Sequence, residues 1–191
     1  MPNTPSSDEE LVAAARAGSA DAIEALLEKY QQRIFGFGLR MCGDAEDAKE
    51  VLQETLLAAA RNVKDFRGGS SLSTWLYTIA RSKLVDHWRR HEDAVSLDEA
   101  ANDPGGESPL EIDAGDAQRP DVQAISREQA RAFIDAVEQL PPVQREAFLL
   151  QAEGGLSLEE IAAVTSAGHE TVKSRLRYAM AKLRSAMEAW Q

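Results

Sequence analysis

The middle of this chain interrupts whatever folds on either side of it. From Glu92 to Asp121 it carries ten acidic residues against the single Arg119, and Pro104, Gly105, Gly106, Pro109, Gly115 and Pro120 punctuate the same stretch. Self-repulsion extends such a segment, and closely spaced Pro and Gly work against a continuous helix, so residues 92–125 read as a flexible acidic linker. A 191-residue chain divided in this way leaves two modules, residues 1–91 and 126–191, each of the size of a small domain.

Both modules carry the periodicity of helices. Ser7 and Glu10 make a capping box for Leu11 to Ala17, which Gly18 ends. Ser19 caps a second helix in which Ile23, Leu26, Leu27, Tyr30, Ile34, Phe37 and Met41 recur at spacings of three and four, up to Gly43. Asp44 caps a third, with Ala48, Val51, Leu52, Thr55, Leu56 and Ala59 as its buried stripe. After Gly68 and Gly69, Ser73 opens a fourth that reaches about His91. In the second module Ser126 and Gln129 predict a capping box before Phe133, Ile134, Val137 and Leu140. Pro142 fits the first turn of the next helix, Val143 to Glu153, and Ser157 with Glu160 caps Leu158 to Thr165. A turn at Ser166 to Gly168 then leads into a long last helix. Aromatics make up only 6% of the residues, too few for an aromatic-rich β-sandwich, so the fold class is all-α: two small helical domains, the second a helix-turn-helix.

The formal net charge of −11 argues against binding nucleic acid until its distribution is considered, because cations against phosphates supply most of that affinity. The acidic segment holds most of the excess. On the last helix Lys173, Arg175, Arg177, Lys182 and Arg184 oppose only Glu170, and its N-terminal half, where recognition helices meet base edges, suits duplex DNA. From Lys64 to His91, six cations meet two acids, and Phe66, Trp75, Tyr77 and Trp88 interleave with Arg67, Arg81, Lys83, Arg89 and Arg90. That mixture suits unpaired bases, with cations on the backbone and aromatics stacking, although any one of these aromatics, Trp75 above all, also fits a core. The third helix has the opposite character. Asp44, Glu46, Asp47, Glu50 and Glu54 outweigh Lys49, which suits a basic protein partner and not phosphate.

Other chemistries are poorly supplied. Cys42 is the one cysteine, which rules out an intramolecular disulfide and a cysteine-based zinc site, and it reads as a small core residue, with a redox switch as the minority alternative. His87, His91 and His169 do not form a metal-ligand cluster by spacing, so no metal and no cofactor are expected; His169 is expected on DNA. No Gly-rich phosphate loop and no paired histidines support an enzyme acting on nucleic acid, so no catalytic residues are expected. No apolar run approaches the roughly 18 residues of a membrane span, and Met1 to Glu10 lacks the pattern of a secretory signal. A cytoplasmic protein without membrane insertion is expected. On these residues alone, a DNA-binding regulator that uses only its helix-turn-helix remains open beside a protein that docks on a larger machine.

Three stretches carry a resemblance. Asp44-Ala45-Glu46-Asp47-Ala48-Lys49-Glu50-Val51-Leu52-Gln53-Glu54-Thr55 is similar to region 2.2 of the extracytoplasmic-function (ECF) group of the bacterial sigma-70 family. Ser73-Thr74-Trp75-Leu76-Tyr77-Thr78-Ile79-Ala80-Arg81, continuing to Asp86-His87-Trp88-Arg89-Arg90, resembles regions 2.3 and 2.4. Leu140-Pro141-Pro142-Val143-Gln144-Arg145-Glu146-Ala147-Phe148, Leu158-Glu159-Glu160-Ile161-Ala162 and Thr171-Val172-Lys173-Ser174-Arg175-Leu176-Arg177 resemble region 4. The chain departs from the pattern at Glu50, where Asp is usual, at Leu56 for Phe, at Ser82 for Asn, and in the turn, where Ser166 replaces a glycine and Gly168 and Glu170 stand where Pro and Gly are common. A left-handed Ser166 costs about 1–2 kcal/mol, so the turn is expected to rearrange around Gly168.

The resemblance implies a sigma factor that binds core RNA polymerase, recognises and opens promoter DNA, and starts transcription. Asp47, Glu50, Gln53 and Glu54 would dock on the coiled coil of the polymerase beta-prime subunit. Phe66, Arg67, Trp75, Tyr77, Arg81, Lys83, Trp88, Arg89 and Arg90 would open and hold the −10 element. His169, Glu170, Thr171, Lys173, Ser174, Arg175 and Arg177 would read the −35 element, other surfaces of that module meeting the beta-subunit flap. An anti-sigma factor is the expected inhibitory partner.

Overall fold

The structure, a computed structural model, describes residues 7–97 and 120–188, with side chains between 92 and 126 left aside. The first module begins with α1 (Asp8–Arg16), started by the expected capping box in which Ser7 and Glu10 each accept the other's backbone N–H. Ser19 caps α2 (Ala20–Cys42), and Gly43 ends it at φ 78°, a left-handed position that a side chain would strain. Asp44 then caps α3 (Ala45–Asn62), its carboxylate accepting the N–H groups of Glu46 and Asp47. A 3₁₀ turn at Val63–Asp65 leads to α4 (Leu72–Leu97). Ser71 accepts the Thr74 N–H and so starts α4 two residues before Ser73.

The second module holds α5 (Pro120–Glu138), α6 (Pro142–Ala152), α7 (Leu158–Thr165) and α8 (His169–Ala186). Pro142 occupies the first turn of α6, and the Ser157–Glu160 capping box starts α7, both as expected. The bounds around the acidic segment differ from expectation. α4 continues past His91 to Leu97, and α5 begins at Pro120, which leaves Ser126 inside the helix and not at its cap. The remainder of the expected linker lies outside the described residues. Among the described residues there is no strand.

Leu26, Tyr30, Ile34 and Phe37 of α2 pack with Val51 and Ala59 of α3 and Leu76, Tyr77, Ala80 and Leu84 of α4. Val137, Leu140, Leu149, Leu150, Ile161, Val172, Leu176 and Leu183 fill the second module, and the two sets form one continuous apolar cluster. The modules therefore lie against each other, with α4 on α7 and α2 on α6. Polar contacts fasten this seam. Ser73 Oγ donates to the Gly154 carbonyl at 2.7 Å, Arg33 Nε to the Glu153 carbonyl at 2.6 Å, and Arg145 Nη1 to the Arg40 carbonyl at 3.0 Å.

Candidate functional site

Three of the four expected docking residues, Asp47, Glu50 and Glu54, share the side of α3 that runs beside α4. Gln53 is exposed, and the three carboxylates form a ladder with α4: Asp47 Oδ2 lies 3.4 Å from His87 Nε2, Glu50 Oε1 2.8 Å from Arg90 Nη1, and Glu54 Oε1 3.2 Å from Arg90 Nη2. Glu54 Oε2 also faces Lys83 Nζ at 3.8 Å. At the head of α3, the N–H groups of Asp47 and Glu46 hold the Asp44 carboxyl below its usual range. Sequence reading separates an acidic face from a basic one, whereas the structure places Lys83 and Arg90, expected on DNA, in direct contact with docking acids. The exposed Arg90–Glu50 pair is of the kind worth about 0–1 kcal/mol, so a stronger partner on either side exchanges it at small cost.

The same ladder corrects the expectation for histidine. His87 and His91 are one helical turn apart on α4, their ring centroids 4.2 Å from each other, and Asp47 completes a group of three potential metal ligands. The spacing that suggests no cluster along the sequence is the i, i+4 spacing that brings side chains together on one helix face.

The aromatic surface is less available than the sequence suggests. Tyr77 is fully buried, edge-on to Phe37 at a centroid distance of 5.4 Å, and burial pushes its hydroxyl up from the usual phenol range. Phe66 is buried against Trp75, their centroids 5.1 Å apart. Phe66 and Tyr77 thus belong to the core in this arrangement and present no stacking face. The reason is angular: residues two apart on a helix point about 200° from each other, so Trp75 and Tyr77 cannot face one ligand. Trp75 and Trp88 are half-buried, while Arg67 and Arg89 are exposed. Arg81 is turned to the second module, its Nε 2.7 Å from Glu146 Oε1.

The helix-turn-helix is open on its outer side. Val172, Leu176, Ala179 and Leu183 anchor α8 inward, while His169, Glu170, Thr171, Lys173 and Arg177 are exposed and Ser174 and Arg175 are half-buried. His169 Nε2 lies 3.3 Å from Glu159 and Lys173 Nζ 3.7 Å from Glu170. The turn itself overturns the expectation of a rearrangement around Gly168. Ser166 does take the left-handed conformation, at φ 53° and ψ 35°, and Gly168 is an extended cap residue at φ −68°.

Sequence reading missed the acids of the seam, Glu146, Glu153 and Glu160. Glu160 accepts from Ser71 Oγ and Thr74 Oγ1, both at 2.6 Å, and these hydroxyls with the Ser157 N–H pull its carboxyl down to about 2. Glu153 pairs with Arg40 at 2.7 Å. Its other oxygen is buried without a hydrogen bond, and burial raises its carboxyl against the pull of Arg40 and Arg33. Gly36 makes room for this pair, since a Cβ there would stand 2.9 Å from the Glu153 carboxylate. Glu160 advertises itself only as a capping residue, and nothing near Glu146 or Glu153 in sequence names a partner in the other module.

Comparison with known proteins identifies a family for both modules. The sigma-70 region 2 family matches residues 26–93 and sigma-70 region 4 matches residues 130–183. The chain is 35% identical over 182 residues to the RNA polymerase sigma-H factor of Pseudomonas aeruginosa, covering 91% of this chain and 90% of that one. It is 33% identical over 174 residues to the ECF RNA polymerase sigma-E factor of Escherichia coli, covering 88% of each. Among solved structures, the sigma factor RpoE of Bartonella quintana, in complex with the anti-sigma factor NepR, superposes with a TM-score of 0.66 at 25% identity, over 85% of this chain and 94% of that one. CnrH in complex with the cytosolic domain of CnrY shares the fold at a TM-score of 0.64 and 24% identity, over 95% and 97%.

Proposed function

Because the chain belongs to the ECF group of the sigma-70 family and is an RNA polymerase sigma factor of transcription initiation, we propose that its acidic α3 face holds the polymerase and its α8 holds the promoter. Asp47, Glu50, Gln53 and Glu54 dock on the beta-prime coiled coil. His169, Glu170, Thr171, Lys173, Ser174, Arg175 and Arg177 read the −35 duplex, and the rest of that module meets the beta flap. The −10 strand falls to the exposed Arg67 and Arg89 and the half-buried Trp75 and Trp88. Arg81, Lys83 and Arg90 join them once their carboxylate partners let go. Phe66 and Tyr77 support that surface from beneath.

In this reading residues 1–91, with the rest of α4, form the docking and −10 module. Residues 126–191, with the start of α5, form the −35 module, and the acidic segment between them is the tether. The protein has no covalent step to perform: unstacking bases costs a few kcal/mol each, which stacking and cationic contacts offset. No described helix is long and apolar enough to cross a membrane, and the bacterial cytoplasm, where polymerase works, is the proposed site of action. An anti-sigma factor is the proposed inhibitor, since a related structure contains one.

The observation that carries this reading is the exposed acidic side of α3 on the same chain as the exposed basic half of α8. Equilibrium binding to purified core RNA polymerase tests it. Wild type should bind with a nanomolar Kd, and Glu54→Lys, folded by circular dichroism, should lose at least tenfold. Equal binding by the two proteins would remove the docking role from α3.

A further inference from the structure

The polymerase and promoter surfaces leave the two histidines of α4 without a task. Their rings lie together on one helix face, and α3 sets a single carboxylate between them: Asp47 Oδ2 is 3.4 Å from His87 Nε2 and Asp47 Oδ1 is 3.7 Å from His91 Nε2. One ligand atom from each of the three residues lies within 4.8 Å of the others. In a tetrahedral site with bonds of about 2.0–2.1 Å, ligand atoms stand about 3.3–3.4 Å apart. Each Asp47 oxygen faces one imidazole, Oδ2 towards His87 and Oδ1 towards His91, so a rotation of the carboxylate that turns one oxygen to both rings draws the set, now within 4.8 Å, in around an ion.

The surroundings fit as well. Glu50 Oε2 lies 3.8 Å from His87 Nδ1, outside hydrogen-bond length but on the side where, after a small approach, an outer carboxylate fixes the tautomer of a ligating imidazole and leaves Nε2 for the metal. His87 is 2% exposed, so its ring is held in place, while His91 at 58% and Asp47 at 33% leave an open side for entry and for a water as fourth ligand. A simple Asp–His pair needs one imidazole per carboxylate. Here one carboxylate faces two, and Glu50 stands on the other side of the buried one.

We propose that Asp47, His87 and His91 bind one divalent transition-metal ion of the Zn²⁺ class, with Glu50 orienting His87 from the far side of its ring. Two imidazoles and one carboxylate favour Zn²⁺ or Co²⁺ over Mg²⁺ and Ca²⁺, which prefer an all-oxygen shell. Cys42 stays outside the group whose ligand atoms lie within 4.8 Å of one another, which is Asp47, His87 and His91. The site takes two of the three docking acids, so a bound ion competes with the polymerase. This consequence rests on the docking role of α3, whereas ion binding itself does not.

Titration of the full chain with Zn²⁺ by calorimetry, and with Co²⁺ by visible absorption, tests the site. One equivalent should bind saturably, and His91→Ala and Asp47→Asn should each weaken it by tenfold or more. Both residues are partly exposed, so these variants should fold, which circular dichroism checks, and Cys42→Ser should bind as wild type does. Absence of one-to-one binding, affinity unchanged by His91→Ala, or loss on His169→Ala instead would overturn the proposal. In a second arm, Zn²⁺ should lower the affinity of wild type for core polymerase and leave that of His91→Ala unaltered. One-to-one Zn²⁺ binding with unchanged polymerase affinity would uphold the metal site and overturn its competition with docking.

Discussion

Arg81 of α4 and Glu146 of α6 meet across the seam between the two modules at 2.7 Å, with the Glu146 side chain only 8% exposed. The pair engages a cation that belongs to the proposed −10 surface. If Arg81 holds DNA as proposed, that contact and the packed arrangement are alternatives, and whatever separates the modules releases the arginine.

Glu146→Ala should loosen the seam. A hydrogen bond to a charged group is worth about 1.5–3 kcal/mol, and the partly exposed Arg81 regains some of this from water. Small-angle scattering should show a larger radius of gyration for the variant, and binding to a single-stranded −10 oligonucleotide should tighten severalfold. Unchanged dimensions would mean that the apolar contacts hold the modules together without this pair.

Glu160 makes the seam sensitive to acid. Its carboxyl sits at about 2 against an ordinary 4.5, because Ser71, Thr74 and Ser157 donate to it. A group depressed on folding stabilises the folded state above its unfolded value and loses that contribution as pH falls towards its folded value. Wild type should therefore melt above Glu160→Gln near neutral pH, and the gap should shrink below about pH 4.5 and close near pH 2. A gap independent of pH would show that the cap geometry, and not the charge, is what the substitution removes.

These seam contacts mark what the sequence reveals and what it conceals. Signals that act within one helical turn are legible: the Ser7–Glu10 and Ser157–Glu160 boxes, the stop at Gly43 and the start at Pro142 all stand where local chemistry places them. Pro120 misleads through the same chemistry, since a proline that breaks a helix from inside also starts one at its first position, as it does in α5. Tyr77 shows that a mixture of aromatics and cations says nothing about which way each side chain points. The pairing of His87 with His91 is present in their spacing, but Asp47 comes from another helix and becomes a neighbour only after folding.

Ser166 carries strain in the turn between α7 and α8, at φ 53°. A left-handed residue other than glycine costs about 1–2 kcal/mol, and glycine gives back about 0.5–1 kcal/mol through its looser unfolded chain. Ser166→Gly should then stabilise the protein by up to about 1.5 kcal/mol, seen as a higher melting temperature, with no loss of promoter affinity. A lower melting temperature would show that the serine side chain contributes something at the turn that offsets its strain.

The exposed cations of α8 should govern how salt weakens promoter binding. Each phosphate that a cation neutralises adds about 0.9 to the steepness of the log–log salt dependence on duplex DNA. Lys173 and Arg177 are both exposed on the outer side of α8, and Lys173 is paired with Glu170 at 3.7 Å, a pair between exposed side chains that phosphate readily replaces. With polymerase holoenzyme on a promoter duplex, Lys173→Ala and Arg177→Ala should each make that dependence shallower by about 0.9. Where a side chain touches only phosphate, affinity should fall alike for the promoter and for a scrambled −35 sequence. A loss confined to the promoter, with the slope unchanged, would identify that residue as reading a base edge instead.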